Sequence, residues 1–153
     1  RMECVHSVGL LAQSMQEKPS SLCWYALNLR ERLAMECVMV GLGGAAGAIL
    51  RYLIGLLPVG TQGGFPWKTL AINILGSFLI GILTGLILKG ALAPRWELLL
   101  KTGFCGGFTT FSTFALESQG LIDKGAYGAA AFYMGISLVA GAFAVVAGER
   151  LVA

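Results

Sequence analysis

Four long apolar runs dominate the chain from residue 38 onward. Residues 38–57 form a run of 20 with one charge, Arg51, and residues 69–88 form a run of 20 with none. Residues 98–116 give 19 with Lys101 near the start, and residues 125–148 give 24 with no charge. A helix of about 20 apolar residues crosses a hydrocarbon core of ~30 Å, so each run is long enough to span. None shows the polar–apolar alternation of a barrel strand. The expected fold class is an all-α membrane protein with four transmembrane helices. The connectors, residues 58–68, 89–97 and 117–124, are short. Trp67 and Trp96 sit beside the starts of the second and third runs, where interfacial indoles belong.

Composition agrees. Of 153 residues, 56% are hydrophobic and only 12% charged, against ~25% charged in soluble proteins. Too few charges remain to cover a soluble domain, and disorder needs the opposite balance. A net charge of +3 is too small to argue for a nucleic-acid partner. The four cysteines (Cys4, Cys23, Cys37, Cys105) form no CxxC pair, and His6 is the single histidine. Neither a zinc site nor a disulfide framework is suggested. With no clustered carboxylates and no cysteine–histidine pair, no enzymatic reaction can be assembled.

The chain changes character near residue 38. Residues 1–38 hold one glycine, Gly9, and the other 21 lie from Gly41 onward. The first 37 residues are expected to be an N-terminal extension outside a domain at 38–153. They read as a non-conducting extension or an upstream mis-start, with Met35 or Met39 as the original beginning. The alternative is an interfacial helix lying on the membrane, residues 22–34 being able to form a short amphipathic helix. Their apolar stretches are too broken for a signal peptide.

With four spans, both ends of this domain lie on one side. That side collects Lys89, Arg95, Lys101 and Arg150, the other Lys68 and Lys124, a weak positive-inside bias that suits insertion in both orientations. Small residues recur every fourth position: Gly43, Gly47 and Gly55 around Arg51, then Ser77, Gly81 and Gly85, then Ser137 and Gly141. Such stripes let helix backbones approach closely.

A few residues ask for more than packing. Arg51 in a span costs at least ~2.5–3.5 kcal/mol unless it snorkels or finds a partner. It is either a structural arginine capping carbonyls near the interface or a fixed charge drawing anions into a vestibule. Asn73 is the sole Asn or Gln in the last three runs, and its amide can bridge helices or donate to an anion. Residues 103–114, GFCGGFTTFSTF, are poor material for a continuous helix. A break there would free carbonyls able to coordinate a small cation. Phe111 and Phe114 would share a face of a resumed helix, where ring edges carry partial positive charge suited to an anion. Tyr133 and Ser137, four apart, would present hydroxyls on one face. Cys105 reads as a small buried hydrophobe.

These strings, GGAAGAILRY (residues 43–52), NILGSFLIG (73–81) and GFCGGFTTFSTFALE (103–117), with Tyr133 and Ser137, resemble the CrcB/Fluc family of fluoride channels over residues 38–150. The resemblance implies a four-helix subunit broken in its third helix and paired with a second identical chain as an antiparallel, dual-topology homodimer. It implies passive fluoride export across the cell membrane, lowering cytoplasmic fluoride. It also implies a structural sodium ion at the dimer centre, held by backbone carbonyls at Gly106 and Thr109. Pore positions would be Asn73, Phe111 and Phe114, with Ser112, Thr113, Tyr133 and Ser137 along a polar track, and Arg51 in the vestibule.

A small proton-coupled multidrug antiporter has the same span count and topology. It needs a membrane-embedded carboxylate, and the four runs hold none; Glu117 lies just past the third. A purely structural helix-packing subunit leaves Arg51 and the threonine pair without a reason.

Overall fold

The computed structural model describes residues 21–58 and 64–152, with side chains described from Leu29 onward. The expectations for residues 1–20 lie outside the described residues. The chain divides into two compact units, Arg1–Met35 and Glu36–Ala153. In the first, the described residues are helical and the side chains of residues 29–35 are exposed.

Among the described residues, six α-helical elements and one π-helix follow in order: α1 Ser21–Leu56, α2 Trp67–Leu88, α3 Pro94–Trp96, the π-helix Glu97–Cys105, α4 Gly106–Phe108, α5 Phe111–Asp123 and α6 Tyr127–Val152. Among the described residues there is no strand. The parts of α1, α2 and α6 running over Leu29–Leu56, Trp67–Leu88 and Tyr127–Val152 are long and apolar enough to cross a bilayer. The third apolar run is built differently, from the π-helix, α4 and α5 in succession.

α1 starts well upstream of the expected run, instead of leaving residues 22–34 as a separate helix. Between Pro19 and Gly41 the chain has neither proline nor glycine, so nothing stops the helix. Pro58 follows its end, a common place for proline after a helix. α2 and α5 end on glycine. Gly90 at φ +68 and Gly125 at φ +72 occupy the left-handed position. Their N–H groups donate to Ile87 and Ile122, and the next residues, Ala91 and Ala126, donate to Leu86 and Leu121. This paired pattern satisfies the last helical carbonyls.

In the second unit, α2 packs along α6, and α5 and the π-helix add to that pair. Close approach is bought with glycine. A β-carbon on Gly81 would fall on the carbonyl oxygen of Val145, and one on Gly148 on that of Phe78. On α1, a β-carbon at Gly43 would strike the Leu99 carbonyl, and one at Gly47 the Phe104 carbonyl. The stripe positions Gly43, Gly47 and Gly81 are therefore true backbone contacts, while Gly85 lies first against the Val152 side chain. Gly55 has nothing within 4 Å, and Gly141 makes only an ordinary 3.6 Å contact with Ser77 Oγ.

The interior is small. Leu70, Leu121, Ala130 and Tyr133 form its buried cluster, flanked by Phe65 and Phe114. Most large apolar side chains, such as Leu53, Leu75, Leu138 and Phe143, face outward. That suits a chain whose solvent is lipid and whose helices associate by backbone packing rather than by hydrophobic burial.

Gly81→Val, which drives a side chain into the α6 backbone, is expected to cost about 1–3 kcal/mol. Gly41→Ala, with nothing within 4 Å, is expected to leave stability unchanged or raise it by up to ~1 kcal/mol. Thermal unfolding of the two purified variants in detergent checks the contrast.

Candidate functional site

The functional geometry grows from Thr109 and Thr110. α4 ends at Phe108 and α5 begins at Phe111; between them both threonines are extended, with φ/ψ of −78/158 and −149/113. Leaving the helix diverts the donors that would have closed its ladder. The Thr110 N–H donates to Asn73 Oδ1 at 2.8 Å, and Asn73 Nδ2 donates to the Thr110 carbonyl at 3.1 Å. The Thr113 N–H turns to Thr110 Oγ1 at 3.2 Å, which makes Thr110 the N-cap of α5. Arg51 Nε donates to the Gly107 carbonyl at 3.1 Å. Thr109 caps locally, its hydroxyl and its N–H both reaching the Cys105 carbonyl, at 2.9 and 3.0 Å. Thr110 is thus nearly fully buried, with its main chain satisfied by a side chain of α2.

Asn73 bridges helices, one of the two roles open to it, and keeps a second amide hydrogen. Arg51 caps a carbonyl, that of Gly107. Gly106 is exposed, and a β-carbon there would meet nothing within 4 Å. Phe111 and Phe114 do share a face of α5: their ring centroids are 5.7 Å apart at a 44° tilt. Phe111 is 77% exposed, whereas Phe114 packs on Tyr133 at 5.1 Å. Ser112 is exposed and Thr113 half-buried.

Tyr133 is wholly buried, and its hydroxyl donates to Glu117 Oε2 at 2.8 Å. Thr69 donates to the other oxygen, Oε1, at 2.8 Å. Ser137 donates to the Tyr133 carbonyl at 2.7 Å. The hydroxyl hydrogens of Tyr133 and Ser137 are therefore committed inside the chain, while the Ser137 oxygen remains able to accept.

Two open clefts meet at Thr110. One, of about 270 Å³, is lined by Asn73, Ser77, Thr109, Thr110, Phe111, Phe114 and Ser137, among others. The second, of about 610 Å³, is lined by Arg51, Tyr52, Lys68, Thr69, Thr110, Thr113 and Glu117, with apolar neighbours. The structure thus gathers Asn73, Thr109, Phe111, Phe114 and Ser137 in one cleft and Arg51 with Thr113 in the other. Gly106, Ser112 and Tyr133 line neither.

Sequence reasoning misses Thr69, Lys68 and Glu117. By its position Glu117 falls just past the third run, but α5 carries it in mid-helix, where two hydroxyls hold its carboxylate. The available signal is its spacing, three residues after Phe114, on a helix that has no stop before Gly120.

Residues 38–149 match the family described as CrcB-like protein, Camphor Resistance (CrcB). The chain belongs to the CrcB family. It is 48% identical over 119 residues to a protein of Agrobacterium fabrum named fluoride-specific ion channel FluC, a match covering 76% of this chain and 95% of that one. A FluC of Thermus thermophilus is 48% identical over 115 residues, covering 74% and 92%. A FluC of Chlorobaculum tepidum is 46% identical over 115 residues, covering 74% and 91%. With three helices among the described residues long and apolar enough to cross a bilayer, this CrcB-family chain is a multi-pass membrane protein.

Asn73→Leu strips both partners from the buried Thr110 main chain. It is expected to lower stability by about 1–3 kcal/mol, the usual cost of unsatisfied buried polar groups. An unchanged unfolding midpoint in detergent would show that Thr110 does not depend on Asn73.

Proposed function

We propose that this chain is a fluoride-specific ion channel of the cell membrane, exporting fluoride passively and lowering its concentration in the cytoplasm. One observation carries the reading: a chain 46–48% identical to proteins named fluoride-specific ion channel gathers Asn73, Phe111, Phe114 and Ser137 around a single cleft.

In this reading the interruption at Thr109 and Thr110 is a break in mid-membrane, and the π-helix, α4 and α5 together make a third span. Irregular backbone at that depth is tolerated only inside protein or beside a water-filled cavity, and the two clefts supply one. Fluoride is small and strongly hydrated, so a path for it must replace water with donors. The second Asn73 amide hydrogen and the ring edges of Phe111 and Phe114 do so without a full charge that would trap the ion. Ser112, Thr113, Tyr133 and Ser137 continue a polar track, and Arg51 sets positive charge in a vestibule.

The functional unit is an antiparallel, dual-topology homodimer. The exposed Phe111 and the open face at Gly106 then lie against a second copy. Gly106 and Thr109 suit a structural sodium ion. Their carbonyls are the ones whose helical donors, the N–H groups of Thr110 and Thr113, turn elsewhere, and carbonyl oxygens are the ligands hard cations take. Bound there between two copies, sodium would contribute a fixed positive charge at the dimer centre.

The multidrug antiporter is not favoured. The named relatives are channels, and Glu117 is engaged by two hydroxyls rather than free for a cationic substrate. Nor does the family suggest an enzyme.

Purified protein in liposomes is expected to release fluoride and retain chloride, read with ion-selective electrodes. Equal efflux of both, or of neither, would sink the reading. Phe111→Ile and Phe114→Ile are each expected to cut fluoride efflux tenfold or more, about 1.4 kcal/mol of barrier, with the dimer intact by size-exclusion chromatography. Normal conduction in both variants would remove the ring edges from the mechanism.

A further inference from the structure

Lys68 stands at the second position of α2, between two clefts. It lines the 610 Å³ cleft that holds Arg51, and also a neighbouring cleft of about 390 Å³ lined by Phe65, Trp67, Gly120 and Lys124, among others. Glu117 is the other residue common to both. Lys68 Nζ donates to the Gly55 carbonyl at 2.7 Å, next to the end of α1, and Arg51 Nε likewise donates to a carbonyl. Among the described residues neither cation is ion-paired. A carbonyl fixes the position of an ammonium group without neutralising it. Among the described residues, the sole carboxylate lining these clefts, Glu117, is engaged by Thr69 and Tyr133. Two cations, Arg51 and Lys68, therefore face one carboxylate in the 610 Å³ cleft, and Lys124 joins Lys68 in the 390 Å³ one.

We infer that Lys68 is a conduction-determining residue: its held but unneutralised ammonium group concentrates anions at the junction of the two clefts and passes them toward Arg51. The inference rests on the proposed fluoride channel and adds to it a residue that the Asn73–Phe111 cleft does not contain. A cleft of 610 Å³ has room for roughly ten or more water molecules, so the arriving anion is still hydrated and feels the charge through solvent. Charge-lined clefts with low-dielectric walls focus the field and raise local ion concentration. A through-solvent effect is screened over ~30 Å at 0.01 M salt and ~3 Å at 1 M. That dependence separates it from the structural alternative, in which Lys68 merely caps the C-terminal end of α1. A missing cap would damage the protein equally at every ionic strength.

The full chain in liposomes supplies the test, with initial fluoride efflux measured at low and high concentrations of an impermeant salt. Lys68→Gln, which keeps a hydrogen-bond donor and loses the charge, is expected to slow efflux about threefold at ~0.01 M ionic strength, with less than a ~1.5-fold difference left at ~1 M. Lys68→Arg is expected to follow the unsubstituted chain at both. Lys68→Met repeats the neutral readout should Lys68→Gln fail to assemble. Equal slowing at both salt concentrations, or none at low salt, overturns the inference while leaving the channel reading intact. An unsubstituted chain that passes no fluoride overturns both together.

Discussion

Two hydrogen bonds between the Asn73 carboxamide and the Thr110 main chain support everything distinctive about this structure. Backbone buried away from water, as at Thr110, must find its hydrogen-bond partners within the protein. When the chain leaves the helix at Thr109, its amide and carbonyl groups need other partners or the interruption is lost. Asn73 answers with one acceptor and one donor, matched to the N–H and C=O of a single residue. Arg51 takes the Gly107 carbonyl, and the Thr110 hydroxyl starts the next helix. Polar residues that are costly among apolar neighbours thus sit where the backbone has most need of them.

The glycines and Arg51 belong to the same device. Arg51 lies one turn beyond Gly47, and Gly47 presses against the Phe104 carbonyl and the Phe108 amide. Gly107 in turn lies against the Gly44 backbone. These contacts bring α1 close enough for a guanidinium to reach a carbonyl of α4. Any side chain at Gly43 or Gly47 would push the helices apart and withdraw that donor. Packing and electrostatics are therefore coupled: the same close approach that holds the helices together places a positive charge beside the interruption. Glu117 plays the corresponding part across α2, α5 and α6, joining Thr69 to Tyr133 through one carboxylate.

Much of this is legible in the sequence. The apolar runs announce α2 and α6, because length and the absence of charge are enough to mark a spanning helix. The fourth-residue glycines mark true backbone contacts at Gly43 and Gly47 on α1 and at Gly81 on α2, though not at Gly55. The partnership of Asn73 is half visible: an amide in an apolar run must bond to something, but which backbone group it meets depends on the tertiary approach of α4. The π winding of Glu97–Cys105 is not legible, because nine residues are too few turns to separate one ladder spacing from another. Nor is the early start of α1. The composition shift at residue 38 suggests a structural boundary, whereas the helix responds only to residues that can stop it. Thr69 and Lys68 look like the ordinary polar edge of a span until their partners, Glu117 and the Gly55 carbonyl, arrive from elsewhere in the chain.

The central claim is that the backbone at Thr109 and Thr110 is extended and held by Asn73 within an otherwise helical segment. Backbone carbon chemical shifts of the full-length protein in lipid, by solid-state NMR, test it most directly. The account predicts extended-type shifts at Thr109 and Thr110 between helical values at Phe108 and Ser112. Helical values running unbroken from Phe108 to Ser112 would contradict it.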